Sequence, residues 1–362
     1  MFSKLKYVDW PLFIAMLLLQ ISGLAILYGT TASDNNEVFY RQLIFAGIGL
    51  GFFIFLTLID YHSISKQNRA AYLAIILLLI YLLLLGSEVR GGRRWLDLGL
   101  GTLQPSEFAK LAVILGLSRL LYIKRGQIND WKILFWSAVF AGLPALLVLS
   151  QPDLGSALVI GGIWVGLILL SPINKKIILI LSLSAMVVAG GFWQFGLKDF
   201  QKDRIKVFLD PELDPLGRGY NVKQAGIAIG SGGVWGRGLG KGLQSQNRFL
   251  PERQTDFIFA AGSEQLGFFG SMGILILFFF CGSRILKIAR KARDDLGMYI
   301  CLGIFFLLGI HTLVNIAMNM GLLPVTGIPL PFLSAGGSGL LVIFMAFGIV
   351  QNIAIQSKVL RF

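Results

Sequence analysis

The amino-acid sequence predicts an all-α, polytopic membrane protein of about ten transmembrane helices with one long extracytoplasmic loop. Three observations carry that prediction. Of 362 residues, 55% are hydrophobic and only 14% are charged, too few polar side chains to coat a soluble globule. Apolar stretches recur that are long enough, at 1.5 Å rise per residue, to cross about 30 Å of hydrocarbon. Lys and Arg also concentrate in alternate connections, as the positive-inside rule requires of a multi-span chain.

The predicted spans are 11–30, 38–59, 70–86, 105–123, 133–150, 154–171, 177–197, 256–283, 298–320 and 332–354, within a single membrane domain of residues 1–362. Met1 to Lys6 ahead of the first apolar run resembles a signal peptide, but the run is too long and lacks a small-residue cleavage pattern. It reads as a retained first span. An even number of spans places both termini on one side, and seventeen of the 32 basic residues then fall on that side, Lys124, Arg125, Lys287 and Lys291 among them. That side is expected to be the cytoplasm. The net charge of +13 is accordingly read as topology and attraction to anionic lipid, with nucleic acid set aside as a partner. Cys281 and Cys301 fall inside spans without metal-ligand spacing and are expected to be packing residues.

The polar residues that break the apolar pattern mark the candidate site. Between spans three and four, Arg90-Gly91-Gly92-Arg93-Arg94-Trp95 puts three arginines on the side that the orientation rule disfavours. Either Trp95 and its neighbours form a headgroup-level anchor, or Arg93 and Arg94 cradle an anion with the planar guanidinium fork that suits phosphate. Directly after comes Gln104-Pro105-Ser106-Glu107, a helix start with Ser106 near its cap, and Glu107 and Lys110 share one face and are able to pair. Asp153, ahead of span six, is suited equally to capping that helix and to the site.

In span nine, His311, Asn315 and Asn319 recur at steps of four, a polar stripe that interhelical hydrogen bonding explains without a catalytic histidine. The turn Gly321 to Gly339 carries Pro324, Pro329 and Pro331, as a re-entrant segment lining a cavity would, and its Gly and Ser residues are able to bring amide donors to an anion, which makes Ser334 a candidate for substrate contact. The long loop 198–255 holds the glycine-rich Gly230 to Gly242. It is not a nucleotide-binding loop, because Trp235 stands where Gly is needed and Gly242 follows Lys241; a flexible basic flap is expected. At the end of that loop Asp256 sits where polar residues turn into an apolar helix, and an ionisable group at a membrane boundary is a functional candidate by default.

Together, Arg93 to Leu96, Gln104 to Lys110, Gln151 to Gly155, Pro251 to Phe259 and the Gly321 to Gly339 turn resemble the SEDS family of bacterial cell-wall proteins (shape, elongation, division and sporulation). Pro251-Glu252-Arg253 is closer to its rod-elongation branch, RodA-like, than to its division branch, FtsW, in which a small residue is expected in place of Arg253. The resemblance implies a peptidoglycan glycosyltransferase that polymerises lipid II, with the residue matching Asp256 as its essential acid. It also implies a class B penicillin-binding protein transpeptidase as partner.

On that reading Asp256 is the general base of an inverting displacement and takes the proton of the acceptor hydroxyl. Arg94, Lys110 and Arg218 or Arg248 are the cations available to the diphosphate leaving group. Glu107 and Asp153 orient those cations or hold a divalent ion, Mg or Mn, as a possible helper; no cofactor is otherwise called for. A lipid II flippase is the competing class, since intramembrane charges and an interrupted helix also suit transport. A non-catalytic scaffold is the third.

Overall fold

The computed structural model describes residues 6–31, 36–86, 94–97, 102–191, 199–214 and 217–359. Its helices are α1 (Trp10–Thr31), α2 (Glu37–Leu58), α3 (Tyr61–Leu85), α4 (Pro105–Ile123), α5 (Trp131–Ser150), α6 (Leu154–Leu169), α7 (Lys175–Gly191), α8 (Asp199–Leu209), α9 (Arg218–Ser231), α10 (Leu243–Gln246), α11 (Ile258–Arg290), α12 (Asp295–Asn319) and α13 (Gly337–Val359). A two-residue antiparallel ladder, β1 (Leu96–Asp97) with β2 (Thr102–Leu103), precedes α4.

Each predicted span overlaps a helix, residues 192–197 of the seventh lying outside the described residues. Seven of them, α1, α2, α3, α5, α11, α12 and α13, are long and apolar enough on their own to cross a membrane. The other three differ for physical reasons: α4 carries Glu107, Lys110 and Arg119, α6 has only 16 residues, and α7 has 17 and opens on Lys175 and Lys176. Boundaries moved where polar residues are buried instead of solvated. Helix α3 starts nine residues before the predicted position 70, because Asp60 caps it and Ser65 and Asn68 are buried, Asn68 donating to the Ala112 carbonyl at 2.8 Å. Helix α13 starts at Gly337 and not at 332, the prolines and glycines before it holding the chain out of helix.

Helix α13 is the axis of the bundle: 83% of its membrane window is enclosed by protein, against 28% for α3 and α5, which face outward. It packs chiefly against α2, while α11 packs on α1 and α12, and α4 on α3 and α12. Outward apolar side chains such as Leu84, Phe135 and Phe279 need no protein partner in hydrocarbon.

The described residues of the long 198–255 loop include three helices, α8, α9 and α10, with the glycine-rich turn between the last two. That turn is fixed to a break in α11 at Gly267, where φ is 68° and ψ −165°. A helix break frees backbone groups, and the turn satisfies them: Arg237 and Gly238 donate to the carbonyls of Glu264 and Gln265, both at 3.0 Å, and Phe268 donates to the Gly233 carbonyl at 2.9 Å. The buried Glu264 carboxylate reinforces this contact, accepting from Gln244 N, Ser245 N and Ser245 Oγ at 2.8, 3.0 and 2.6 Å.

Gly267 tolerates no side chain. A Cβ there would lie 2.2 Å from Gly236 N, in a backbone region that only glycine occupies readily. Gly267→Ala is expected to cost about 3 kcal/mol or more, read as a fall in the melting temperature of the detergent-solubilised protein. Gly273→Ala, in open space on the same helix, is the control and is expected to leave that temperature unchanged or raise it.

Candidate active site

At one end of the bundle the starts of α4 and α13, the turn ahead of α11, the middle of α8 and the 324–336 segment surround a cavity of about 360 Å³. Arg94, Trp95, Glu107, Asp153, Arg204, Glu252, Asp256, His311 and Ser334 all line it. Positions far apart in sequence therefore converge on one space.

Asp256 is half-buried and is held there by its main chain. Its carbonyl accepts from Asn315 Nδ2 at 3.0 Å and Asn319 Nδ2 at 2.9 Å. Asn319 Oδ1 accepts from Ala260 N at 3.0 Å, which satisfies an amide in the first turn of α11. Asn315 Nδ2 also donates to the Ile328 carbonyl at 2.8 Å, tying the re-entrant segment to the same point. From the opposite side the Ser334 hydroxyl donates to Thr255 O at 2.6 Å and accepts from Leu330 N at 2.8 Å, while Ala335 N donates to Gln254 O at 2.8 Å. Ser334, a sequence candidate for substrate contact, thus spends its hydroxyl on positioning the chain. Gly327, with φ 76°, lets this segment pass close beside the carboxylate; a Cβ there would sit 3.6 Å from Asp256 Oδ2.

Lys110 is 1% exposed, and its ammonium group donates to Glu107 Oε1 at 2.6 Å and lies 3.1 Å from His311 Nε2. An ammonium has only donors, so His311 Nε2 accepts and its Nδ1 carries the proton toward the Pro329 carbonyl, 3.1 Å away. Lys110 does not line the cavity; it is a strut behind the wall, contrary to its expected place on the diphosphate. Glu107 does reach the cavity. Asp153 caps α6, its Oδ1 accepting from Ser156 N at 3.0 Å, and its Oδ2 accepts from Gln104 Nε2 at 2.9 Å at the cavity wall. Helix α4 is entered through Gln104 with Pro105 in its first turn, so Ser106 lies inside the helix and not at its cap.

Among the described residues two cations line the cavity, Arg94 and Arg204. Arg94 projects a buried Nε that meets no hydrogen-bond acceptor among the described residues, and the neighbouring Trp95 indole N–H is in the same state. Trp95 is also among the residues that line the cavity. Arg204, on α8, was not distinguished by sequence; its Nη1 donates to the carbonyls of Val325 and Thr326 at 3.3 and 3.1 Å, across 121 and 122 residues of chain. Its only sequence signal was a charged run, Lys202-Asp203-Arg204-Ile205-Lys206, without a motif. Of the other candidates, Arg248 is exposed and does not line the cavity, Arg93 lies outside the described residues, and Arg218 begins α9 with its side chain outside them.

The described residues contain no group of three or more His, Cys, Asp or Glu side chains arranged to cage a metal ion. Glu107 and Asp153 are moreover already engaged by Lys110 and Gln104.

Comparison with known proteins agrees with this geometry. The model of the FtsW/RodA/SpoVE family, described as "cell cycle protein", matches residues 5–359. The chain is 36% identical to the peptidoglycan glycosyltransferase MrdB of Escherichia coli (strain K12) over 361 residues, 98% of this chain and 95% of that protein. It is also 36% identical to the stage V sporulation protein E of Bacillus subtilis (strain 168), over 99% of this chain and 100% of that one. A solved chain from a peptidoglycan synthase complex, described as coordinating polymerization and crosslinking, superposes with a TM-score of 0.82 at 28% identity, covering 97% of this chain and 98% of the other. A match over nearly the whole length, together with the convergence of the quoted motifs on one cavity, makes this multi-pass membrane protein a member of the FtsW/RodA/SpoVE family.

Proposed function

We infer that the protein is a peptidoglycan glycosyltransferase that joins lipid II units into β-1,4 glycan during cell elongation. The observation that carries the reading is the placement of Asp256 in a cavity that two arginines also line, at the end of a helical bundle. A carboxylate is the group needed to take a proton from the acceptor sugar hydroxyl, and guanidinium groups suit a departing diphosphate.

Each linkage forms by a single displacement. The acceptor oxygen bonds to the anomeric carbon as the carbon–phosphate oxygen bond breaks, its proton passes to Asp256, and the diphosphate leaves with the electron pair. Arg94 and Arg204 are the cations assigned to that charge, and Arg218 remains a sequence candidate beside them. Lys110 acts one step back by fixing Glu107. The cavity is at the small end of ligand-site volumes, so it holds the reacting sugars and phosphates while the lipid chains stay in the bilayer. No step is routed through a metal ion.

The basic residues Arg284, Lys287, Lys291 and Lys358 gather at the bundle end opposite the cavity. By the positive-inside rule this supports cytoplasmic termini and an extracytoplasmic active site in the bacterial inner membrane. The synthase complex that matches the fold supports a crosslinking partner of the class B penicillin-binding protein type.

The test is polymerisation of purified lipid II in detergent, with and without such a partner. Glycan is the expected product. A transporter needs two membrane faces to show its activity and makes no polymer there, so absence of glycan under both conditions sinks the assignment.

A further inference from the structure

A second, smaller cavity of about 190 Å³ lies where the start of α1 and the ends of α11 and α13 meet, and Asp9, Arg284, Lys287, Lys291, Ser357 and Lys358 line it. We propose that this pocket binds the phosphodiester headgroup of an anionic phospholipid, on the membrane face opposite the active-site cavity.

The floor of the pocket is built. Gln351 makes a reciprocal pair with the Asp9 main chain, its Oε1 accepting from Asp9 N and its Nε2 donating to Asp9 O, both at 2.9 Å. The one acidic group, Asp9, is already committed: it accepts from Arg284 through both oxygens and from Leu12 N at 3.1 Å. Lys287 and Lys291 are exposed and have no side-chain partner among the described residues, while Lys358 touches only the Tyr7 carbonyl, at 3.1 Å. Three ammonium groups thus face one space, and among the described residues no carboxylate is left to balance them.

Lysines near a helix end also offset the helix dipole, and this accounts for Lys287 in the last turn of α11. It accounts equally for Lys358 in the last turn of α13, but not for lysines of two helices closing on one cavity. Basic pockets between helix ends at a membrane surface are the usual seats of anionic headgroups.

A lipid source for the phosphate, as opposed to a dissolved ion, follows from the face of α11 that leads into the pocket. Ile276, Phe280, Ser283 and Lys287 recur at steps of three or four, all exposed, so a single stripe runs from apolar to polar to cationic. Acyl chains match its first part and a phosphodiester its last.

The experiment compares melting temperatures and bound-lipid adducts of the detergent-purified full chain. Phosphatidylglycerol, phosphatidylcholine and inorganic phosphate at matched ionic strength are added separately. Phosphatidylglycerol alone is expected to raise the melting temperature and persist as an adduct in native mass spectra. In Lys287→Gln/Lys291→Gln/Lys358→Gln its apparent affinity is expected to fall by roughly fivefold for each lysine removed. Polymerisation in phosphatidylcholine stays at the wild-type level, which separates this pocket from the active site. Should the triple variant fail to fold, Lys287→Gln alone, at an exposed position, carries the test with the single-lysine loss. An unchanged phosphatidylglycerol response in the variants overturns the proposal, as does an equal response to inorganic phosphate.

Discussion

Asp256→Asn is expected to lower glycan synthesis from purified lipid II by about 10² to 10⁴-fold, the usual contribution of a positioned general base, while the melting temperature stays within experimental error of wild type. The structure explains why the two readouts separate. Residue 256 is fixed by its carbonyl, through Asn315 and Asn319, and by the neighbouring Thr255 and Gln254 carbonyls, through Ser334 and Ala335. None of these bonds involves the carboxylate. An isosteric amide therefore keeps the turn and removes the proton acceptor. Glycan yield equal to wild type in the variant would show that another group takes the proton.

The second large effect is expected at the buried pair behind the cavity wall. Lys110→Met leaves the Glu107 carboxylate, 5% exposed, without its 2.6 Å partner, and breaking a buried pair from one side costs about 3–5 kcal/mol. Such a loss is comparable to a large part of a domain's stability, so the variant is expected to be poorly recovered from membranes. Lys110→Met/Glu107→Gln removes both charges and is expected to regain most of the melting temperature. Activity then decides the role of Glu107. If the double variant folds and remains inactive, Glu107 serves the site; if activity returns with stability, the pair is structural. Retention of wild-type melting temperature in Lys110→Met would contradict the strut described here.

The same distinction between main-chain and side-chain roles explains what the sequence disclosed. Helix α4 was read with its observed ends, Pro105 and Ile123, because proline in a first turn is a local signal. Asp256, Glu107, Asp153 and Arg94 announced themselves as charges interrupting apolar runs, and all four line the cavity. Arg204 did not, because its qualification is the distance in sequence it spans, which no local pattern encodes. Ser334 and Lys110 were legible as polar residues in the right segments, but whether a hydroxyl or an ammonium faces ligand or neighbouring chain depends on packing. The glycine-rich turn misled for a related reason. Composition signals conformational freedom, whereas the hydrogen bonds that tie the turn down run to the broken helix α11, 27 to 35 residues on.

Main-chain anchoring makes the acid at position 256 a replaceable part. Shortening the side chain in Asp256→Gly is expected to preserve the amide grip on the carbonyl and to open a void beside Gly327 about the size of the lost group. Formate supplied from solution fits such a void and brings its own basic oxygen. Partial chemical rescue of Asp256→Gly by formate, but not by chloride at the same concentration, is the expected signature of a scaffold that stores its geometry in the backbone.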